Sequence, residues 1–96
     1  MKKYNVAIVG ATGAVGEELL RVLEEVDFPI NNLVPLASSK SAGIEVECQG
    51  KSFKVLELTE KAFEENDVEI AFFSAGGDIS AHYAPYAAEA GAVVID

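Results

Sequence analysis

The chain has 96 residues, half of them hydrophobic, with 16 acidic and 7 basic side chains and a net charge of −9. This acidic excess argues against a nucleic-acid partner, because contact with the phosphate backbone needs a basic face. No apolar run approaches the ~20 residues of a membrane span, and a single cysteine allows no internal disulfide and no cysteine metal cluster. The first strand starts too early for a signal peptide, so we expect no membrane partner and a cytoplasmic location.

An apolar run followed by three glycines opens the chain, where residues 5–16 read N-V-A-I-V-G-A-T-G-A-V-G. The apolar run predicts a strand over Tyr4–Val9 that is covered on both faces, as in a parallel sheet. The periodic pattern behind the glycines predicts a helix over Ala14–Val26. Its N-terminus would present unpaired N–H groups and a partial positive charge to an anion.

Each of the three glycines has a separate role in this motif. Gly10 allows a sharp turn out of the strand, Gly13 lets the backbone approach a pyrophosphate, and Gly16 lets the helix pack close to the strand. Placed between a strand and a helix, the motif predicts dinucleotide binding. The alternative is a tight turn without a ligand.

The rest of the chain continues the alternation of strands and helices, which predicts an α/β fold with a Rossmann-like parallel sheet and right-handed crossovers. An added β-hairpin interrupts it. Because a complete fold of this kind usually needs about 150 residues, we expect the sheet to be incomplete at the C-terminus and residues 1–96 to be the N-terminal part of the domain. The predicted elements are strands at Leu33–Ala37, Val68–Phe73 and Ala92–Asp96, hairpin strands at Ile44–Cys48 and Ser52–Leu58 around Gln49–Lys51, and helices at Glu60–Glu65, capped by Thr59, and Ser80–Ala90, capped by Gly91.

A polar turn follows the second strand and bears on the type of dinucleotide. NAD-binding domains place an Asp or Glu about 20 residues past the glycines, where it accepts hydrogen bonds from the ribose. This chain has Ser38, Ser39, Lys40 and Ser41 there, with no carboxylate before Glu45. Hydroxyls and an ammonium suit the 2′-phosphate of NADP, which carries close to two negative charges. The turn predicts NADP over NAD, the alternative being an ordinary solvated turn.

The third candidate segment is Ser74, Ala75, Gly76 and Gly77, behind the strand predicted at Val68–Phe73. If that strand lies on the far side of the first one, the two loops flank the crevice where the strand order reverses, and open α/β sheets bind ligands there. Small residues would let the backbone run close to a cofactor. A flexible loop selected for its turn geometry is the alternative.

Neither Cys48 nor His82 is predicted to be catalytic. Cys48 lies in a hairpin strand, with no histidine or helix N-terminus nearby to lower its pKa, so we interpret it as a structural cysteine. His82 lies inside a helix without an obvious partner, which is typical of a surface or packing histidine. The sequence therefore indicates no catalytic residue and no metal site among these 96 residues.

Four stretches resemble the aspartate-semialdehyde dehydrogenase family: G-A-T-G-A-V-G at 10–16, S-S-K-S-A-G at 38–43, F-F-S-A-G-G at 72–77 and Y-A-P-Y-A-A-E-A-G-A-V-V-I-D at 83–96. The resemblance covers essentially the whole chain. Lys40 stands where members often carry Arg, which keeps the charge but loses the bidentate fork. The resemblance implies phosphate contacts at Thr12, Gly13, Ala14 and Val15, a 2′-phosphate site at Lys40 and Ser41, a cofactor-lining loop at Ser74–Gly77, and an adenosine contact at Thr59.

The family reaction, as the resemblance implies, is the NADPH-dependent reductive dephosphorylation of aspartyl phosphate to aspartate semialdehyde. This step serves lysine, threonine and methionine biosynthesis. A cysteine thiolate forms a thioester and a histidine moves protons, and in the family both residues lie beyond position 96. The chain alone is therefore expected to be inactive. Members are dimers or tetramers whose subunit contacts lie mainly in the catalytic domain absent here, which implies a homodimer or homotetramer for a full-length parent.

Two alternatives remain open at this point. N-acetyl-γ-glutamyl-phosphate reductase has a similar fold and acyl-phosphate chemistry, but its glycine loop more often carries an aromatic residue in place of Ala14, and the turn at 38–43 argues against it. The other alternative is a non-catalytic NADP-binding module. A reading frame that continues into an Asn-Cys-x-Thr-like segment and a later histidine would favour the enzyme.

Overall fold

Strands and helices alternate along the chain in a computed structural model that describes residues 2–96. None of its helices is long and apolar enough to cross a membrane, within those residues. The elements are β1 (Tyr4–Val9), α1 (Ala14–Glu25), β2 (Ile30–Ala37), β3 (Glu45–Cys48), β4 (Lys51–Lys54), β5 (Leu56–Glu57), α2 (Ala62–Glu65), β6 (Ile70–Phe73), α3 (Gly77–Glu89) and β7 (Val93–Ile95).

The main sheet has five parallel strands in the order β5–β2–β1–β6–β7, which confirms the predicted Rossmann-like α/β fold. β1 is the central strand, and its last four side chains, Val6–Val9, are fully buried. Ala7 and Val9 join a core under α2 and α3, whereas Val6 and Ile8 join a core under α1. This alternation is why the run lacks polar residues: both faces of β1 are covered.

The strand order reverses at β1, because β2 pairs with one of its edges and β6 with the other. The carboxyl ends of these three strands therefore lie at one edge of the sheet. This arrangement places the residues that follow β1, β2 and β6 around a common crevice, as predicted from the sequence.

The second hairpin strand, predicted at Ser52–Leu58, divides in two. β3 and β4 form a separate antiparallel pair, whereas Leu56 and Glu57 become β5 and pair in parallel with β2. Val55 is the pivot: its N–H donates to the Ile44 carbonyl at 2.7 Å and its side chain is fully buried. A strand that passes from one sheet to another keeps its two-residue alternation, so the pattern alone does not reveal the break.

The hairpin turn is one residue shorter than predicted. Gln49 and Gly50 alone form it, with φ of 54° and 77°, and Lys51 pairs with Cys48. The Gln49 side-chain amide donates to the carbonyls of Leu23 and Phe28, at 3.3 and 2.9 Å. These bonds fasten the hairpin to the end of α1.

Two helix starts differ from the predictions. α3 begins at Gly77, three residues before the predicted Ser80, and α2 begins at Ala62 rather than Glu60. The prediction of a Thr59 side-chain cap is wrong: Lys61 is the N-cap, no side chain caps the helix, and Thr59 accepts a bond from the Ala62 N–H through its carbonyl. The remaining boundaries agree to within three residues.

All three helices end in the same way, with one residue in the left-handed region. Asp27, Asp67 and Gly91 have φ of 51°, 50° and 89°. In each case the N–H of the residue that follows bonds back five residues, as Ala92 does to Ala87. This is a Schellman motif, in which Gly91 lies one position past the cap residue Ala90.

Candidate dinucleotide-binding site

Three segments meet at the carboxyl edge of the sheet. We call them the glycine loop (Gly10–Gly16, after β1), the serine turn (Ser38–Ser41, after β2) and the β6–α3 loop (Ser74–Gly77). The sheet order brings all three around one crevice, so the predicted residues in them lie together. Thr59 follows β5, the next strand out, and lies at the margin of this group.

The glycine loop is shaped by Gly10 and Gly16. Gly10 has φ of +87°, and its N–H donates to the Leu36 carbonyl at 2.8 Å. A Cβ added at Gly16 would lie 2.2 Å from the Gly10 carbonyl oxygen, so α1 can approach β1 only with glycine there. At Gly13 the nearest protein atom would be 3.6 Å from an added Cβ, an ordinary contact. Protein packing therefore explains Gly10 and Gly16 but not Gly13.

The first turn of α1 is open at the crevice. Its N-cap is Gly13, and no side chain caps the helix. Ala14 and Val15 are exposed, so the unpaired N–H groups of the first turn can reach a ligand. An anion placed there would be stabilised by those N–H groups and by the helix dipole.

Ser74 ties the β6–α3 loop to the glycine loop. Its backbone N–H and its hydroxyl both donate to the Val9 carbonyl, at 2.9 and 2.7 Å. A Cβ at Gly10 would come within 3.1 Å of the Ala75 nitrogen, so the two loops are in direct contact. This contact fixes the width of the crevice at its base.

Gly76 and Gly77 leave open space in front of α3. No protein atom lies within 4 Å of a Cβ added at either position, and neither residue has a positive φ. Gly76 is the N-cap of α3, which also has no side-chain cap. A second uncapped helix N-terminus thus faces the crevice, with two glycines that the backbone conformation does not require.

The serine turn is held by its own backbone. The Ser41 N–H donates to the Ser38 carbonyl at 3.0 Å, and the Ala42 N–H approaches the Ser39 carbonyl at 3.4 Å. Lys40 is exposed and forms no ion pair with any residue from 2 to 96. Its ammonium is therefore available to a ligand.

A cavity of about 300 Å³ joins these segments, a volume at the lower end for ligand sites. Sequence reasoning missed its apolar walls, Leu58, Ile79 and Tyr83. Leu58 directly follows β5, and Ile79 and Tyr83 are four residues apart on α3. These wall residues could have been identified only from the position of β5 and α3 beside the crevice. Thr59 does not line the cavity. The lining residues are Val9, Gly10, Thr12, Ala37, Ser38, Leu58, Ala75, Ile79 and Tyr83.

A second cavity, of about 390 Å³, lies between α1 and β3. Four of its seven lining residues are glutamates, and its single cation, Arg21, is already paired with Glu18 and Glu25. Carboxylates in that number repel the phosphates of a dinucleotide. The cavity at the carboxyl edge of the sheet is therefore the candidate site.

Cys48 and His82 both lie away from the crevice. The Cys48 side chain is buried, with its Sγ 3.7 Å from the Leu20 carbonyl, and burial, with a smaller effect of Glu24, raises the pKa of the thiol. His82 has a carboxylate partner that sequence reasoning missed, since its Nε2 lies 2.9 Å from Glu60 Oε2. The same carboxylate raises the pKa of Tyr86. Over residues 2–96 no cluster of three His, Cys, Asp or Glu side chains could hold a metal ion.

A glycine loop that opens a helix, at the point where the order of a parallel sheet reverses, defines a dinucleotide-binding α/β domain. The family model for the semialdehyde dehydrogenase NAD-binding domain matches residues 5–96. The chain belongs to this family.

Curated relatives carry the name aspartate-semialdehyde dehydrogenase. The protein from Campylobacter jejuni is 65% identical over 95 residues, which are 99% of this chain and 28% of that protein. The protein from Helicobacter pylori is 52% identical over 96 residues, 100% of this chain and 28% of that protein. The chain therefore spans less than a third of the length of the relatives it matches. These names favour the aspartate-semialdehyde dehydrogenase resemblance over the rival reductase.

The fold is also that of a solved relative. The structure of aspartate-semialdehyde dehydrogenase II from Vibrio cholerae, complexed with ASA, superposes with a TM-score of 0.92 at 52% identity. The match covers 99% of this chain and 30% of that one. The structural match and the sequence matches thus cover a similar share of the relatives, less than a third of their length.

Proposed function

We propose that this chain is the N-terminal, NADP-binding part of a longer aspartate-semialdehyde dehydrogenase. In such a parent NADPH supplies the hydride that reduces aspartyl phosphate to aspartate semialdehyde. The nucleophilic cysteine and the proton-transferring histidine then belong to the part of the enzyme that this chain does not match, and the parent is a homodimer or homotetramer. The buried Cys48, with its raised thiol pKa, supports this assignment, because such a thiol is a poor nucleophile at neutral pH.

The pyrophosphate in this proposal lies at the glycine loop. The backbone N–H groups of Thr12, Ala14 and Val15 donate to it, and the dipole of α1 adds a favourable charge. The Gly13 N–H already donates to the Gly10 carbonyl at 3.2 Å, so Gly13 contributes by letting the backbone approach the phosphates closely. The uncapped start of the helix and the space around Gly13 support this placement. The β6–α3 loop, Ser74–Gly77, lines the same crevice and leaves room for the cofactor along its two exposed glycines.

The adenosine half in this proposal enters the cavity of about 300 Å³. Leu58, Ile79 and Tyr83 give it apolar and aromatic walls, which suit a flat base. Thr59 is exposed just outside this cavity, so its contact is with the edge of the adenosine.

The serine turn is the observation that carries NADP over NAD. The segment Ser38–Gly43 contains three hydroxyls and Lys40 but no carboxylate. An ammonium that forms no ion pair with residues 2–96 attracts the 2′-phosphate, whereas this segment has no carboxylate to accept a hydrogen bond from a free ribose 2′-hydroxyl. Ser38, Ser39 and Ser41 supply neutral donors around Lys40.

Charge reversal at Lys40 tests this assignment. We expect Lys40→Glu to raise the Kd for NADP about 10- to 100-fold. The substitution removes a charge-assisted hydrogen bond to the 2′-phosphate, and the new carboxylate repels that phosphate. The Kd for NAD changes by less than about threefold, because NAD lacks the 2′-phosphate and so makes no such bond with Lys40. Isothermal titration calorimetry of the 96-residue chain with each dinucleotide measures both constants.

Lys51→Glu is the matched control, because it makes the same charge change on β4, in the separate hairpin sheet and not in a loop at the carboxyl edge of the main sheet. It leaves both dissociation constants unchanged. Equal losses for NADP and NAD in Lys40→Glu would overturn the NADP assignment. A wild-type chain that binds NAD as tightly as NADP would overturn it as well.

A further inference from the structure

A hydrogen bond on the protein surface connects α3 to the segment that follows β5. The Nε2 atom of His82, on α3, lies 2.9 Å from Glu60 Oε2, across a sequence separation of 22 residues. A carboxylate only accepts hydrogen bonds, so the Nε2–H of His82 donates. The neutral imidazole with its proton on Nε2 and the imidazolium both supply this donor. The bond therefore joins two segments that lie far apart in the sequence.

Each partner of this bond neighbours a residue that lines the cavity at the carboxyl edge of the sheet. Glu60 lies two positions past Leu58, and His82 directly precedes Tyr83. The rings of His82 and Tyr83 are in edge-to-face contact, with their centroids 4.7 Å apart and their planes at 77°. A displacement of His82 thus also displaces Tyr83. The bond on the surface is therefore connected to both sides of the cavity.

The two sides of the cavity are anchored unequally. On one side β5 pairs with β2, and the Leu58 N–H donates to the Ala37 carbonyl at 2.7 Å, so Leu58 is fixed to the sheet. On the other side α3 contains Pro85 in its interior. Proline has no N–H, so the Ala81 carbonyl lacks its helical hydrogen bond. The bond at His82 lies close to this weakened point of α3, on the side that carries the cavity wall.

Glu60 faces two successive turns of α3. Its charge raises the pKa of Tyr86, which lies one turn past His82. The rings of His82 and Tyr86 are also close, with centroids 5.9 Å apart. His82, Tyr83 and Tyr86 thus form one aromatic cluster beside a single carboxylate, and the position of α3 relative to Glu60 affects all three rings.

We propose that Glu60 and His82 are positioning residues for adenosine binding, because their hydrogen bond holds the α3 wall at a fixed distance from Leu58. The inference rests on the proposed function, which places the adenosine half in this cavity, and it gives a role to two side chains that do not line the cavity. Glu60 and His82 act on the ligand through Leu58 and Tyr83. NADP and NAD share the adenosine half, so the bond contributes equally to the binding of both.

Breaking the bond from the Glu60 side tests this proposal. We expect Glu60→Ala to raise the Kd for NADP and the Kd for NAD by the same factor, about two- to fivefold, the upper range for an exposed ion pair. The side chains of His82 and Glu60 are 55% and 49% exposed, which limits the effect to this range. His82→Ala has at least the same effect, because it also removes the ring that contacts Tyr83. Calorimetry with the 96-residue chain measures both constants.

Two further variants separate positioning from general destabilisation. His82→Lys keeps a donor for Glu60, and we expect both constants to stay within about twofold of the wild type, less than the full loss of the pair. Arg21→Gln is the matched control. Arg21 is 55% exposed and pairs with Glu18 and Glu25 on α1, outside the residues that line this cavity. Loss of these pairs leaves both dissociation constants unchanged.

The proposal is overturned if Glu60→Ala leaves both constants unchanged or changes only one of them. It is also overturned if Arg21→Gln weakens binding as much as Glu60→Ala, or if His82→Lys and His82→Ala behave alike. Failure of the proposed function has a different signature: Lys40→Glu then fails to discriminate NADP from NAD. If Lys40→Glu discriminates and Glu60→Ala has no effect, the NADP site stands and only the role of the Glu60–His82 bond is wrong.

Discussion

Gly13 and Gly16 belong to the same sequence motif, but the structure constrains them differently. Gly16 is fixed by the protein itself, because a Cβ there would lie 2.2 Å from the Gly10 carbonyl oxygen and 2.9 Å from Ala11. Gly13 has room for a Cβ at 3.6 Å. The close approach of α1 to β1 therefore needs Gly16, whereas protein packing does not require Gly13, and its role in binding the dinucleotide is a proposal.

We expect Gly16→Ala to lower the free energy of unfolding by about 3 kcal/mol or more, because backbone atoms on both sides must shift. The gain in helix propensity, about 1 kcal/mol, does not offset this. Gly13→Ala at the N-cap costs less than about 1 kcal/mol. Urea denaturation followed by circular dichroism compares the two.

The substitution that costs little stability, Gly13→Ala, is the one that we expect to affect dinucleotide binding directly. We expect Gly13→Ala, although folded, to weaken dinucleotide binding, because its methyl group occupies the space in front of the first turn of α1. Equal stability of Gly16→Ala and the wild type would contradict the packing argument. The roles of Gly10 and Gly16 were thus predictable from the motif, because backbone geometry alone dictates them.

Residues of the cavity wall were harder to predict. Leu58 precedes Ile79 by 21 positions and Tyr83 by 25, and it meets them only because β5 and α3 flank the same crevice. No local pattern distinguishes them from ordinary core residues. A sequence indicates such a wall only after the order of the strands is known.

At the scale of elements, local signals predicted best where one physical constraint determined the result. β1 was placed to the residue and α1 to within one, because burial on both faces and a glycine N-cap leave little freedom. β5 was missed because strand periodicity continues through Val55 while the pairing partner changes. Pairing is a long-range property, and alternation is local.

Substitutions at two of the helix ends are expected to stabilise the folded chain. Asp27 and Asp67 hold left-handed conformations that glycine adopts without a penalty, and each places a negative charge at the carboxyl end of a helix, where the dipole disfavours it. Gly91 shows the unstrained form of the same motif. We expect Asp27→Gly and Asp67→Gly each to raise stability by about 0.5–1 kcal/mol and the Tm by about 2–8 °C.

Differential scanning calorimetry of the single and double variants checks this prediction. The two sites lie on different helices, so their effects add. Asp78→Gly is the contrasting control: Asp78 lies in the first turn of α3, where its charge is favourable, and the change lowers the Tm. Loss of stability in both Asp27→Gly and Asp67→Gly would show that the aspartate side chains make contributions that exceed the backbone strain.

On the scale of the whole molecule, the two edges of the main sheet differ. The β5 edge is two residues long, whereas the β7 edge exposes Val93 and Ile95, 61% and 43% accessible. An apolar edge strand is a template for pairing with another chain. We therefore expect the 96-residue chain to self-associate with increasing concentration through β7.

Sedimentation velocity over a range of concentrations measures this association. Val93→Lys abolishes it, because a charge on an edge strand opposes pairing. Val26→Lys is the matched control: Val26 is 62% accessible but lies at the end of α1 rather than on a strand. If both substitutions reduced association equally, general surface hydrophobicity and not the β7 edge would be responsible.

The central place of β1 also bears on how the chain is made. Within this chain β1 leaves the ribosome before the other strands, and Tyr4 meets its β2 partner, Ile30, early in synthesis. Its other edge waits for β6, because Val6 pairs with Ile70, 64 residues later. At ~5–20 residues per second the most buried strand keeps one bare edge for roughly 3–13 s. A chaperone that shields nascent chains thus has a defined interval, between the emergence of β1 and of β6, in which that edge can be protected.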